Sequence, residues 1–127
     1  INDINKNECY IYLINNNIVG VMVIMEDKDE NYDEIDGNWL NDIKYASIHR
    51  IAVKLDYHHQ KVGYKMLSLS EELIKNKGIY SIKVDTHKLN IPMIKTLEKL
   101  NYSYCGIIKL KRSNEDNLRN AYQKILK

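Results

Sequence analysis

Alternating apolar and polar positions predict a chain of six strands and two helices. Short alternating or β-branched apolar runs predict strands. These runs lie at 10–14, 18–25, 46–53, 79–86, 102–110 and 121–126. Apolar residues at helical spacing predict one helix over 62–77, and a second helix follows Asn90, which can cap it. The predicted element order is therefore β-β-β-α-β-α-β-β.

One β-α-β unit decides the type of sheet. The helix at 62–77 joins the strands 46–53 and 79–86, and such a crossover makes two strands parallel. The other strand pairs are expected to be antiparallel. We therefore predict an α+β fold in which helices flank a mixed, mostly antiparallel sheet, and we expect residues 1–127 to form a single domain.

An acidic segment interrupts this pattern between residues 26 and 42. It holds eight acids and one base, a net charge of −7, and since the whole chain carries +2 the remaining residues carry +9. Asp36-Gly37 predicts a turn inside a long loop. Trp39 is a candidate anchor that either lines a pocket or pins this loop to the sheet. The segment is either a solvated loop or a surface that steers a cationic amine.

Composition argues against several classes of function. The net charge of +2 is too small to argue for nucleic-acid binding, and no nucleic-acid motif is present. No run approaches the roughly 18 apolar residues that cross a membrane. Cys9 and Cys105 match no metal-ligand spacing, so we expect free thiols in a reducing cytoplasm and no metal. Because the chain begins with Ile1, we expect a fragment or a trimmed N-terminus.

The strand at 46–53 leads into a short polar loop that contains one glycine, Gly63, and opens directly into the first helix. The N-terminus of a helix offers unpaired N–H groups and the positive end of a dipole, so it can hold a phosphate. Lys54, Lys61 and Lys65 lie around the loop. The pattern therefore predicts a site for a phosphate-bearing cofactor beside the end of the strand.

The residues at this site resemble the GCN5-related N-acetyltransferase (GNAT) superfamily. Ile51-Ala52-Val53 matches the triplet that ends the family's strand, and Gly63 keeps one glycine of its Arg/Gln-x-x-Gly-x-Gly/Ala loop. His58 stands where Arg or Gln is usual, and Lys61 stands where the first Gly is usual.

A second block extends the resemblance from Asp85 to Gly106, with Asn101-Tyr102 where the family has Gly-Phe. The similarity runs from about Tyr10 to the C-terminus. Family members begin with a further strand and one or two helices, and we expect this chain to lack them. That region usually forms one wall of the acceptor pocket.

The resemblance implies transfer of an acetyl group from acetyl-coenzyme A to an amine by direct attack in a ternary complex. In the family the two parallel strands splay, so that one strand edge pairs with the pantetheine arm while loop N–H groups hold the pyrophosphate. The implied cofactor-binding residues are Ile51, Ala52, Val53, His58, His59, Gln60, Lys61, Val62, Gly63, Tyr64 and Asn90. Alternatively, Asn90 only caps its helix.

A catalytic base is expected on the strand at 46–53. In many family members a Glu serves there, and the matching position is Ser47, which cannot act as a base at neutral pH. His49 projects from the same strand face, and arylalkylamine acetyltransferases carry His at both matching positions. With an ordinary pKa near ~6.5, His49 is predicted to be either the base or a structural histidine. Asp85 either orients His49 or a substrate amine, or it is a surface or salt-bridge residue.

The family's general acid has no counterpart at its usual position. A Tyr is common about seven residues after the Asn, and Leu97 stands there. Tyr122, Tyr102 and Tyr104 are unranked substitutes, and Tyr122 joins His49 and Ser47 as a catalytic candidate. Because coenzyme A thiolate is a good leaving group, the reaction can also proceed without an acid.

Two other functions compete with acetyl transfer to a small-molecule or peptide amine. The first is a catalytically degenerate domain that binds acyl-coenzyme A as a sensor, since the base, the acid and the glycine loop all depart from the family pattern. The second is a nucleic-acid-binding domain, for which no motif argues. The exposed final strand permits a homodimer.

Overall fold

The computed structural model describes residues 7–26, 28–54, 56–57, 61–111 and 115–126. In these ranges the chain forms seven strands, two α-helices and one 3₁₀ turn. The elements are β1 (Asn7–Ile14), β2 (Asn17–Met25), the 3₁₀ turn (Glu30–Tyr32), β3 (Asp36–Gly37), β4 (Ala46–Val53), α1 (Val62–Lys75), β5 (Ser81–Thr86), α2 (Ile91–Lys99), β6 (Ser103–Lys109) and β7 (Leu118–Ile125).

All seven strands belong to one sheet in the order β1-β2-β4-β5-β7-β6-β3. The final strand β7 is paired on both sides, with β5 and β6, so the prediction of an exposed final strand that could pair in a homodimer is wrong. The pair β4–β5 is parallel, and the other five pairs are antiparallel. The predicted α+β fold with one parallel pair is therefore confirmed. The crossover through α1 places β4 and β5 side by side in the middle of the sheet, and this pair carries the site.

The parallel pair separates soon after it begins. Ala46 pairs with Ile82 and Ser47 pairs with Lys83, and beyond these two pairs the ladder between β4 and β5 stops. Both strands nevertheless continue, β4 to Val53 and β5 to Thr86. The predicted splay is thus confirmed, and it opens a gap in the sheet at the ends of the two strands.

A bulge in β4 turns the strand away at this point. Val21 of β2 lies opposite Ala52, whereas Val23 lies opposite His49, so β4 carries one extra residue in the same span. Arg50 absorbs it with a φ of 54°, a left-handed conformation that non-glycine residues seldom adopt. Backbone strain of this kind concentrates at functional sites.

The two faces of the sheet are covered differently. Both helices pack on one face, where buried aliphatic side chains such as Ile82, Leu67 and Leu97 form the main core. The connection between β2 and β4 covers part of the other face, where Tyr32 and Tyr45 pack over β6 and β7 in a smaller core. The helical periodicity of the apolar residues predicted the helix-covered face, since both helices are amphipathic.

The prediction of a turn at Asp36-Gly37 is wrong. These residues form β3, which pairs with β6 at the sheet edge, Asp36 opposite Ile107 and Gly37 opposite Gly106. Both glycines have positive φ, 138° and 145°, and a Cβ on either would collide with a backbone oxygen of the opposite strand. Local sequence indicates a turn because Asp-Gly favours turns, whereas the close pairing with a distant glycine decides the structure.

Several element bounds also differ from prediction. Strand β1 begins at Asn7 rather than at residue 10, and β7 begins at Leu118 rather than at residue 121. Helix α1 ends at Lys75, two residues early. Polar residues at the strand starts broke the apolar pattern, although the ladder hydrogen bonds do not depend on side-chain type.

Candidate active site

A short 3₁₀ turn in the connection after β2 fixes the position of one carboxylate. Asp29 caps this turn, and its Oδ1 accepts hydrogen bonds from the Asn31 backbone N–H at 2.9 Å and from Asn31 Nδ2 at 3.0 Å. The backbone N–H of Asp29 donates to the Tyr45 hydroxyl at 2.9 Å. These bonds leave Oδ2 of Asp29 directed away from the turn.

That second oxygen reaches the imidazole of His49. His49 Nε2 lies 3.2 Å from Asp29 Oδ2 and 2.9 Å from Ser47 Oγ. Ser47 is fully buried, whereas His49 stays partly exposed. The structure therefore brings together the two catalytic candidates of β4 on one strand face, as their spacing predicted, and adds a carboxylate from a loop.

Tyr32 supports the histidine from the side. Its ring lies nearly parallel to that of His49, with centroids 6.3 Å apart at 17°. Its hydroxyl donates to Asp85 Oδ1 at 2.6 Å. Burial, together with the charge of Asp85, raises the pKa of Tyr32 well above its usual value, so the phenol stays protonated. Asp85 is thus linked to His49 indirectly, through Tyr32. This position is intermediate between the orienting role and the surface role that the sequence allowed.

The ionised state of Asp29 follows from its partners. Burial favours a raised pKa for this carboxyl, but the hydrogen bonds from His49 and Asn31 outweigh burial, and the pKa of Asp29 is lowered. At neutral pH the group beside His49 is therefore a carboxylate.

These residues line a cleft of about 650 Å³ at the gap between β4 and β5. Its walls combine apolar side chains with charges of both signs. The lining residues are Val23, Met25, Lys28, Asp29, Glu30, Asn31, His49, Arg50, Asp85 and Leu110. A half-open cavity with convergent polar groups is the usual form of a substrate site.

The rest of the connection between β2 and β4 is fastened to the sheet. Trp39 Nε1 donates to the Tyr32 carbonyl at 2.9 Å within the connection, and its ring packs against the smaller core over β6 and β7, which agrees with the predicted alternative that Trp39 pins this loop to the sheet. Lys83 Nζ lies 4.2 Å from the Trp39 ring centroid and 4.1 Å from that of Tyr45. Burial lowers the pKa of Lys83. Gln123, fully buried, accepts from the Leu40 N–H at 2.8 Å.

The first turn of α1 lies at the other end of the gap. Lys61 precedes the helix with a φ of 59°, and the Lys65 N–H donates to its carbonyl at 3.0 Å. The N–H groups of Val62, Gly63 and Tyr64 come before this first closed turn. The predicted loop residues His58, His59 and Gln60 lie outside the described residues.

Space is open in front of this helix end. A Cβ built on Gly63 would meet Val53 Cγ2 at 4.0 Å and nothing nearer, so packing within the described chain does not require a glycine there. Ile51 is half-buried and Ala52 is exposed on the strand that runs toward the helix. The position suits a ligand that passes close to the backbone.

Asn90 caps α2, as predicted, because its Oδ1 accepts from the Met93 N–H at 3.3 Å. Its role toward a cofactor stays a prediction. Just before it, His87 accepts at Nδ1 from the Leu89 N–H at 3.1 Å and contacts the Asp116 carboxylate through Nε2 at 2.8 Å. This pair holds the end of β5 against the start of β7.

The structure does not bring Tyr122 to His49. Tyr122 is buried in the helix-side core, whereas His49 packs on the opposite face with Tyr32. Burial raises the pKa of Tyr122. Of the other substitutes, Tyr104 is exposed and packs edge-on against Tyr122, and Tyr102 is buried in the same core.

Sequence reasoning missed Asp29 and Tyr32 as site residues. Both belong to the acidic segment, which has no apolar period to indicate a face. The one local signal is Asp29 two residues before Asn31, a spacing that favours an Asx-type turn. Nothing local indicates that this turn lies against β4, about twenty residues later in the chain.

The described residues contain no group of three or more His, Cys, Asp or Glu side chains placed to hold a metal ion. No helix within the described ranges is both long and apolar enough to cross a membrane.

Comparison with known proteins identifies the family. The family model described as "Acetyltransferase (GNAT) family" matches residues 1–102. A GNAT-family acetyltransferase structure from Streptococcus agalactiae 2603 is 29% identical with a TM-score of 0.80, covering 94% of this chain and 65% of that one. The chain thus spans just under two thirds of this relative's length. Comparison with curated proteins gives no match.

Two more distant structures share the fold. One is a GNAT family acetyltransferase from Elizabethkingia anophelis with acetyl-CoA bound, at 18% identity and a TM-score of 0.74, covering 98% of this chain and 80% of that one. The other is aminoglycoside 6′-acetyltransferase type Ii, at 14% identity and a TM-score of 0.69, covering 94% of this chain and 69% of that one. Since the family model covers most of the chain and the sheet has the family's splayed parallel pair, the chain belongs to the GNAT acetyltransferase family.

Proposed function

We propose that the chain carries an N-acetyltransferase site that moves an acetyl group from acetyl-coenzyme A to a primary amine. The observation that carries the proposal is the partly exposed imidazole of His49, held at the gap between β4 and β5 and facing a cleft of about 650 Å³. A titratable base at the mouth of an open cleft is what deprotonation of an amine requires.

The residues at the gap fit the cosubstrate. The edge of β4 near Ile51 is no longer paired with β5, so it can take an extended arm as an added strand. Val62, Gly63 and Tyr64 would offer N–H groups to a pyrophosphate, with Lys61 adding charge. Acetyl-coenzyme A supplies the activated thioester, and every other step belongs to the chain's own residues.

His49 is the proposed general base. A primary amine arrives mostly protonated at neutral pH, and only its neutral form attacks a carbonyl carbon. The imidazole accepts one proton from the ammonium group, and the neutral nitrogen then bonds to the acetyl carbon. As the carbon–sulfur bond breaks, the nitrogen loses its second proton to the departing coenzyme A thiolate or to solvent. Asp29 Oδ2, 3.2 Å from Nε2, lies close enough to stabilise the positive charge that His49 then carries, and Asp85 lines the same cleft.

A covalent acetyl-enzyme is disfavoured at both nucleophile candidates. Ser47 is fully buried, and it contacts the same His49 nitrogen as Asp29 does, so that nitrogen cannot donate to the carboxylate and also accept the serine proton. Cys105 is also buried, and its burial raises the pKa of the thiol. Direct attack in a ternary complex needs neither residue.

The acceptor is proposed to be a small-molecule or peptide amine with cationic character. Three carboxylates, on Asp29, Glu30 and Asp85, line the cleft against two bases, Lys28 and Arg50. This excess of acid favours a protonated amine, and the exposed acids farther along the connection would steer it.

Tyr122 remains a candidate acid without a contact to the cleft. The two cysteines are unbridged, which supports a cytoplasmic setting.

The proposal is tested by calorimetric titration with acetyl-coenzyme A, followed by an acetylation assay over diamines, amino-acid amides and a lysine peptide. Micromolar binding that free coenzyme A shares and adenosine does not, together with acetylation of at least one amine, would support it. Binding without product on any amine would favour the acyl-coenzyme A sensor instead. Absence of binding would contradict both functions.

A further inference from the structure

We infer that Asp29 is a positioning residue that holds the ring proton of His49 on Nε2 and so leaves Nδ1 as the basic nitrogen. The inference concerns the tautomer of the free protein, and its catalytic consequence rests on the proposed function. Three observations carry it: the fixed carboxylate, the shared nitrogen and the charges around the ring.

The carboxylate of Asp29 has little freedom to move. It is 8% exposed, and Asn31 holds its Oδ1 with two hydrogen bonds, of 2.9 and 3.0 Å. Tyr45 holds its backbone N–H at 2.9 Å. Oδ2 is thus presented to His49 by the turn itself, as a preorganised partner.

The contact between Oδ2 and His49 decides where the ring proton lies. An ionised carboxylate accepts hydrogen bonds and donates none, so the charge of Asp29 Oδ2, 3.2 Å from Nε2, favours a proton on that nitrogen, whose hydrogen bond is directed at Ser47 Oγ. A bare Nε2 would lie beside a negative oxygen. The hydroxyl of Ser47, 2.9 Å from the same nitrogen, accommodates either arrangement because it can both donate and accept.

Among the residues that the structure describes, other groups near the ring do not offer the same contact. Lys28, Asp29, Glu30, Arg50 and Asp85 line the cleft with His49, Tyr32 stacks on its ring, and Tyr45 contacts the backbone of Asp29. Within the described ranges, the ion pair of His49 is made with Asp29. Tyr32 contributes a stacked ring and gives its own proton to Asp85.

The geometry predicts how the substitution Asp29→Asn changes the tautomer of His49. The Asn31 N–H would keep the amide oxygen where Oδ1 now lies, because that position accepts two hydrogen bonds. The amide NH₂ would then lie beside His49 Nε2 in place of a negative oxygen and would favour an unprotonated, accepting nitrogen there. The ring proton would move to Nδ1, the nitrogen that the wild-type protein keeps basic. The same replacement of a carboxylate by an amide leaves the histidine of a serine protease triad in the wrong tautomer.

The test is ¹⁵N NMR of the histidine ring in the full chain, recorded over a pH series so that the neutral ring is seen. His49 is assigned by its loss in His49→Ala. We expect a protonated, pyrrole-type Nε2 in the wild type and a protonated Nδ1 in Asp29→Asn. Asp33→Asn, the same charge change at an exposed acid of the same connection, should leave the wild-type tautomer.

A wild-type ring protonated on Nδ1 would overturn the inference, as would an unchanged tautomer in a folded Asp29→Asn. If that variant does not fold, the wild-type spectrum alone still decides. In kinetics, Asp29→Asn should lower kcat at least 10-fold with KM for acetyl-coenzyme A within 2-fold, whereas Glu98→Gln, at an exposed acid of α2, changes neither. If the wild type acetylates no amine, the proposed function fails while the spectrum still tests the tautomer.

Discussion

The helix-covered face of the sheet is packed with aliphatic side chains, whereas the opposite face is packed with aromatic rings and polar groups beneath an irregular connection. On the first face apolar burial is the main interaction that holds the elements together. On the second face Asp29, Tyr32 and Gln123 make directional hydrogen bonds between the connection and the strands. The first arrangement stabilises the fold, and the second positions the imidazole of His49.

The largest expected effect lies on the helix-covered face. Leu97 is fully buried between α2 and the sheet, so Leu97→Ala should lower the free energy of unfolding by about 2–5 kcal/mol through lost burial and a cavity. Leu40→Ala, on the connection and 50% exposed, should change it by less than about 0.5 kcal/mol. Urea denaturation measures both, and equal losses would contradict the comparison.

A smaller effect is expected beneath the connection. Tyr32→Phe keeps the ring and removes the hydroxyl that donates to Asp85 at 2.6 Å, which should cost about 1–3 kcal/mol. Acetylation should fall as well, because the ring that stacks on His49 loses its tether. Tyr80→Phe, at a phenol that is 48% exposed, is the control. Full activity and stability in Tyr32→Phe would show that the hydrogen bond from Tyr32 to Asp85 does not position His49.

At the mouth of the gap between β4 and β5, one substitution should change the stability of the fold and the affinity for acetyl-coenzyme A in opposite directions. Gly63→Ala places a methyl group in open space within a helix, so it should stabilise the fold by roughly 0.5–1 kcal/mol. The same methyl would occupy the path proposed for the pyrophosphate, and calorimetry should show acetyl-coenzyme A binding at least 10-fold more weakly. Unchanged affinity would mean that the ligand does not approach this backbone.

The smallest effect is a change in how stability depends on pH. The pKa of Asp29 is lower folded than unfolded, so its contribution is present above the ordinary value of 3.8 and is lost as pH falls through the folded value. The stability difference between the wild type and Asp29→Asn should therefore shrink below about pH 4. Thermal unfolding between pH 3 and 7 measures it, and a constant difference would argue against the ion pair.

The sequence predicted the helix-covered face better than the face that carries the site. Helix α1 and strand β4 could be predicted because one periodic stripe defines each, and the same period of two placed Ser47 and His49 on one face. Strand β3 could not, because it depends on Gly37 lying against Gly106. Asp29 and Tyr32 could not, because their contacts with β4 and β5 cross an aperiodic connection.

The most direct test of the account is the rate of acetyl transfer by His49→Ala, measured together with its affinity for acetyl-coenzyme A. The account predicts that kcat/KM for the amine falls by about 10²–10⁴-fold and that the cosubstrate binds within 3-fold of the wild type. An unchanged rate in the folded variant would contradict the assignment of His49 as the base.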